Sequence, residues 1–307
     1  MLVHWHPRSA LLALFVLTYA SAADDTNGSS GRPTYRSTVS EVRVTFFATD
    51  ENNHPLATLT KSDFAVVDNE RVVRNFRSFT HSDETSLDVV ALVDLSESVA
   101  PRFRIAMNDV LQLVAREQSI PDDNISVLSF GGMRPAILCS SGCRASDSVS
   151  RLLAVKSSGT TPLFDALMFG ADFISHHRRA GVRPVLILFS DGNDTISLHS
   201  AHEALEAVLA GGALIYSVDM RKSANPSAGS MFLWQVSEAT GGRYFSLQDG
   251  AATVLNAVLE DLRASYVVAY DLPSHQAGFH ALRLLPTHNL NLKFHSRNGY
   301  YYEPSGH

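Results

Sequence analysis

Four apolar runs constrain this chain more than anything else in it: "VVALV" at 89–93, "ISVLSF" at 125–130, "VLILFS" at 185–190 and "ALIYSV" at 213–218. Each has the length of a strand, and none alternates as a half-exposed strand would. Between them lie amphipathic stretches, the first carrying Phe103, Met107, Val110, Leu111 and Val114 at helical spacing. "SDSVSRLLAV", "LFDALMFGADFISHH", "HSAHEALEAVLAGG" and "MFLWQVSEATGG" continue the alternation, and a further helix is expected over 250–264. Strands apolar on both sides need cover on both faces, which predicts a mostly parallel sheet between layers of helices.

The flanks differ. "VSEVRVTFFAT" alternates as a strand, and "SDFAVVDNERVVRNFRSF" has the pattern of a hairpin turning at Asp68-Asn69-Glu70. After residue 264 the chain is β again, in "SYVVAYDL", "FHALRLLP", "NLKFHS" and "NGYYYEP". Short strands with exposed edges gain from pairing, so the two flanks are expected to meet. The fold class is therefore α/β, a doubly wound mostly parallel sheet, with a small flanking β-sandwich formed by N- and C-terminal strands. The expected segments are an N-terminal β segment at 35–82, the α/β domain at 83–264, and a C-terminal β segment at 265–307 pairing with 35–82.

Residues 1–22 have the layout of a signal peptide: Arg8, the apolar "ALLALFVLTYA", and small residues "ASA" before Asp24. The apolar stretch is shorter than the ~20 residues a membrane-spanning helix needs. "ADDTNGSSGRPT" at 23–34 is polar and aperiodic and reads as a disordered leader. Export, to periplasm or medium, is expected, with no membrane span in the mature chain. An oxidising compartment makes a local disulfide between Cys139 and Cys143 in "CSSGC" the expected use of the two cysteines. A net charge of −6 offers no basic footprint for nucleic acid.

The chemistry is expected where the strands end. In an open α/β sheet, ligands bind outside the carboxyl ends of the strands. The run 89–93 ends in Asp94, followed at alternate positions by Ser96 and Ser98. "LILFSDGNDT" places Asp191 at another strand end, and the Gly-Thr-Thr-Pro turn at 159–162 falls on the same rim. Helix capping explains a lone Asp-Ser-Ser triplet. With Asp191 and the threonines beside it, the cluster becomes an all-oxygen donor set of low charge, which hard divalent cations choose: Mg2+, or Mn2+ or Ca2+.

Those residues carry a family resemblance. "DLSES" before a helix, then "GTT", then a strand ending in "SDG" resembles the von Willebrand factor A domain and its metal-ion-dependent adhesion site. By that resemblance the metal ligands are Asp94, Ser96, Ser98, Thr161 and Asp191. The pattern Gly-x-Thr favours Thr161 over Thr160. Glu97 stands where the family often has glycine, and a solvated surface position accounts for it. The flanks are similar to a bacterial VWFA-related group common in acidobacterial genomes.

The resemblance implies a protein-binding module whose cation accepts an acidic side chain from a partner protein, rather than an enzyme. The alternative is a metal-dependent phosphohydrolase with Asp94 as nucleophile. That chemistry looks for an acid/base Asp two residues on, where this chain has Ser96. Three further features receive ordinary explanations. Asp165 suits the first turn of a helix. "ISHHRR" places His176 and His177 about 100° apart on a helix, which does not make a metal pair. Asn27, Asn124 and Asn193 lie in short Asn-x-Ser/Thr matches that arise often by chance.

Overall fold

The computed structural model describes residues 41–81, 86–116, 120–179, 181–222, 225–246 and 251–304. The expected signal peptide and leader lie outside these residues, as does Asn27.

The central sheet contains β5 (Leu87–Asp94), β6 (Ile125–Phe130), β7 (Ala136–Ser140), β8 (Arg183–Ser190), β9 (Leu214–Asp219) and β10 (Tyr244–Ser246). Its strand order is β10-β9-β8-β5-β6-β7. All neighbours are parallel except the edge pair β6 and β7. Six helices accompany it: α1 (Ala100–Arg116), α2 (Ser146–Ala154), α3 (Leu163–His176), α4 (Ala201–Gly211), α5 (Ala228–Thr240) and α6 (Ala251–Arg263).

The apolar runs are buried as their composition requires. Val89, Ala91 and Val93 pack with α1 and α6 on one face of β5. Val90 and Leu92 pack with α3, α4 and α5 on the other. From β5 the chain passes through α1 to β6 on one side, while β8 lies on the other side and is entered from α3 on the opposite face. The strand order therefore reverses between β5 and β8, and an open α/β sheet places its ligands at the carboxyl ends beside such a reversal. Asp94 ends β5, and Asp191 directly follows β8.

The flanking strands form two antiparallel sheets. One has the order β13-β1-β11-β4, from Lys293–Ser296, Glu41–Thr49, Tyr266–Asp271 and Ser78–His81. The other is β14-β12-β2-β3, from Gly299–Tyr302, Gly278–Pro286, Phe64–Asp68 and Arg71–Val73. Each mixes strands from both ends of the chain. A shared core of Val44, Phe46, Phe64, Val66, Tyr266 and Leu282 joins them as a β-sandwich. The Phe46 and Phe64 rings lie 4.9 Å apart at its centre. Asn69 and Glu70 both take positive φ at the β2–β3 turn, the handedness a two-residue hairpin needs. Cys139 and Cys143 are joined in a disulfide at the end of β7.

Candidate functional site

Asp94 is fully buried, and each of its oxygens is held from the protein side. Oδ1 accepts the backbone N–H of Ser96 at 2.8 Å, and Oδ2 accepts the Ser190 hydroxyl at 2.7 Å. Burial pushes this carboxyl up to about 6; the bonds from Ser96 and Ser190 act in the other direction, and the neighbouring Asp191 adds to the rise. Asp191 is itself only 5% exposed, its Oδ1 accepting the N–H of Asn193 at 3.0 Å. Two carboxylates thus sit together in a buried place, and among the described residues neither has a basic partner.

The third carboxylate on this rim shows the contrast. Asp219 ends β9 and is nearly as buried, but Arg221 lies against it with Nη2 2.6 Å from Oδ2. Its charge is already balanced. That of Asp94 and Asp191 is not, and buried charge needs a partner or a metal.

The serines do not act as helix caps. Ser96 precedes a single 3-10 turn, Glu97–Val99, yet its side chain makes no capping hydrogen bond. Instead its hydroxyl lies 3.0 Å from that of Ser98. Ser96 is buried and Ser98 exposed, so the pair runs from the interior to the surface. Glu97 is exposed, a solvated position.

Neighbouring loops are tied to this turn. Glu97 N–H donates to the Gly159 carbonyl at 3.1 Å, and the Ser157 hydroxyl donates to the Ser96 carbonyl at 2.5 Å. Thr160 donates its hydroxyl to the Gly132 carbonyl at 2.8 Å. Thr161 is buried, and its main chain is clamped by Thr195: its N–H donates to Thr195 Oγ1 at 2.8 Å, and its carbonyl accepts the Thr195 N–H at 2.9 Å. No hydrogen bond engages the Thr161 hydroxyl among the described residues. The two adjacent threonines are therefore unequal: Thr160 braces the loop, and Thr161 keeps an uncommitted oxygen.

Two glycines allow these loops to come this close. Gly159 has φ +91°, and a Cβ there would stand 2.8 Å from the Gly132 nitrogen. Gly192 has φ +79°, and a Cβ would stand 2.2 Å from the Gly229 carbonyl oxygen at the start of α5. Any side chain at either position would push the loops apart.

Asp165 does more than complement a helix end. Its carboxylate accepts the N–H groups of Leu198 and His199 at 3.1 Å and lies 2.8 Å from His199 Nδ1. It anchors the loop that Asp191 begins. Ser190 and Thr195 are supporting residues that sequence spacing did not single out, and in the sequence Asp165 reads only as a helix-end carboxylate. Only the SDG tripeptide hinted at the first, since its neighbour Asp191 was already a candidate. His176 and His177 turn their Nδ1 atoms to the carbonyls of Asp172 and Phe173 on their own helix and make no site. Asn124 is buried, donating to the Leu87 carbonyl at 2.8 Å.

The donor set, two carboxylates and several hydroxyls, fits a hard divalent cation. Among the described residues no group of three or more His, Cys, Asp or Glu is placed to hold a metal.

Comparison with known proteins follows the same region. The family model of the von Willebrand factor type A domain matches residues 89–193. No curated protein matches the chain. Among solved structures, a von Willebrand factor type A protein from Catenulispora acidiphila is similar at 12% identity, covering 87% of this chain and 75% of its own, with a TM-score of 0.46. An aerotolerance-related membrane protein from Bacteroides fragilis NCTC 9343 has 14% identity, coverage of 58% and 98%, and a TM-score of 0.44. Manganese-loaded TRAP protein from Plasmodium vivax has 14% identity, coverage of 78% and 99%, and a TM-score of 0.42.

Proposed function

Proceeding from residues 89–193 as a von Willebrand factor type A domain, we propose that the chain is an exported, metal-dependent protein-binding module. The observation that carries this reading is the pair Asp94 and Asp191, buried side by side with no basic partner among the described residues, while Asp219 on the same rim is paired with Arg221. Asp94, Ser96, Ser98, Thr161 and Asp191 would hold the ion, Mg2+ or else Mn2+ or Ca2+. The bound ion would supply an electrophilic position for a partner's carboxylate oxygen.

The chain's own residues do the rest. Ser190 and the Ser96 N–H hold the Asp94 carboxylate in one orientation. Thr195 fixes the main chain of Thr161, and Asp165 holds the following loop. Beyond the carboxyl ends of β6 and β8 and in the first turn of α5, Met133, Ile196, Leu198 and Met231 expose large apolar side chains, with Leu198 92% exposed. They come from the loops and the helix start that surround the site. An apolar rim around a polar centre suits a protein partner better than a small solute.

Catalysis receives less support. Both Asp94 oxygens are already engaged, and the position where a phosphohydrolase would carry its acid/base Asp holds Ser96. Export is supported by the signal-like N-terminus and by the Cys139–Cys143 disulfide. Among the described residues no helix is long and apolar enough to cross a membrane.

The test is a pull-down from envelope and medium of the native organism, comparing the wild type with Asp94→Ala plus Asp191→Ala, each with magnesium or EDTA. A partner retained only by the wild type with magnesium is the expected result. A partner held equally by the variant, or in EDTA, would overturn the metal's role in recognition.

A further inference from the structure

A second feature lies at the opposite end of the central sheet. A cavity of about 590 Å3 opens where β8 begins and the β-sandwich adjoins the sheet, and its wall includes Arg43, Arg178, Arg179, Arg183 and Arg297. Five of the chain's 25 basic residues line this one space, in a protein of net charge −6. Among the described residues no aspartate or glutamate lines it. Such a density of like charge costs folding energy unless something answers it.

Two of the five are partly answered. Arg179 lies 3.6 Å from Asp88, and Arg43 Nε lies 3.9 Å from Glu41. Among the described residues the other three have no ion pair. Arg183 is 7% exposed and donates one bond, Nη2 to the Leu262 carbonyl, leaving its buried Nε and Nη1 without partners. Burial pushes its guanidinium down to about 10. Arg297 donates Nη2 to the Arg43 carbonyl, and its buried Nε also lacks a partner. Those buried donors reach no open space, so Arg183 and Arg297 add positive charge behind the wall, and the exposed side chains of Arg43, Arg178 and Arg179 are the ones a ligand would meet.

We propose that this cavity binds a small organic anion carrying phosphate groups. The arginines enter from separate elements: β1, the loop after α3, the start of β8 and the β13–β14 turn. Exposed guanidinium groups on separate elements, Arg43 on β1 and Arg178 and Arg179 after α3, suit the several oxygens of a phosphate better than a single planar carboxylate. The space exceeds one phosphate, and Val182, Val208, Leu209 and Val267 give it an apolar portion for the remainder of the ligand. An adjoining hollow of about 210 Å3 shares Arg43 and Arg297 and adds Tyr301 and Tyr302.

Calorimetry on the full chain, in EDTA so that the metal site stays out of play, tests this with inorganic phosphate, pyrophosphate and ADP; citrate and adenosine serve as comparators. Saturable binding of pyrophosphate or ADP is expected, weakening with added salt and unchanged by Asp94→Ala. Arg43→Ala plus Arg178→Ala should weaken it at least about tenfold. Both side chains are exposed, and an unaltered melting temperature without ligand would show the variant intact. The proposal fails if none of the three phosphates binds at about 10 mM, if the variant binds as tightly as the wild type, or if citrate binds more tightly than all three. Loss of binding in Asp94→Ala would place the phosphate at the metal site and overturn it as well.

Discussion

At the scale of single residues, Thr160 and Thr161 separate a committed hydroxyl from an uncommitted one, and on the proposed function only Thr161 is a metal ligand. Thr161→Val is expected to lower magnesium affinity about 10–100-fold, the range seen when one member of a metal site is lost. Thr160→Val removes the bond to Gly132 and should leave that affinity within about threefold, because its hydroxyl faces the neighbouring loop. Titration of magnesium followed by thermal unfolding distinguishes the two. Asp109 makes a separate point. It sits on α1, 1% exposed, with both carboxylate oxygens lacking partners, and burial pushes it up to about 7. The folded state therefore holds a proton that the unfolded chain has released above about 4, so this group's contribution to stability falls as pH rises from 4 to 7. Asp109→Asn should remove that fall. Urea unfolding should show the variant more stable than the wild type by about 1–3 kcal/mol at pH 8, with little difference at pH 4.

At the scale of elements, the rim depends on contacts between loops more than on any loop's own preference. Gly192 is the clearest case, since its positive φ and its contact with Gly229 both exclude a Cβ. Gly192→Ala should cost about 2 kcal/mol or more of unfolding free energy in a denaturant titration, from a left-handed non-glycine residue and a backbone clash together. Magnesium-induced stabilisation should fall with it, because the displaced loop carries Asp191. The element pattern itself was legible: apolar runs without alternation became β5, β6, β8 and β9, whereas the capping boxes that Ser200 and Ser227 make at α4 and α5 came only with the structure. What was not legible were bonds such as Asp165 to Leu198 and His199, or Ser190 to Asp94, across 33 or 34 and 96 residues of sequence. Short side chains at those distances leave no periodic trace.

At the scale of the whole molecule, the β-sandwich needs both ends of the chain. β1 pairs with β11 and β13, and β2 pairs with β12, so each sheet closes only when residues before 82 and after 264 are present. A chain ending at residue 264 should leave Phe46 and Phe64 uncovered and aggregate; size-exclusion chromatography would show the soluble monomer lost. The sequence by itself determined the α/β core, the rim that carries the site, and the residue types able to hold a hard cation, because strand burial and strand-end chemistry are local properties of composition and order. Only the tertiary structure decided which hydroxyls are uncommitted, which carboxylates lack a basic partner, and that five arginines surround one cavity. Those are matters of distance between side chains far apart in the chain, and the packing of loops and sheets sets them.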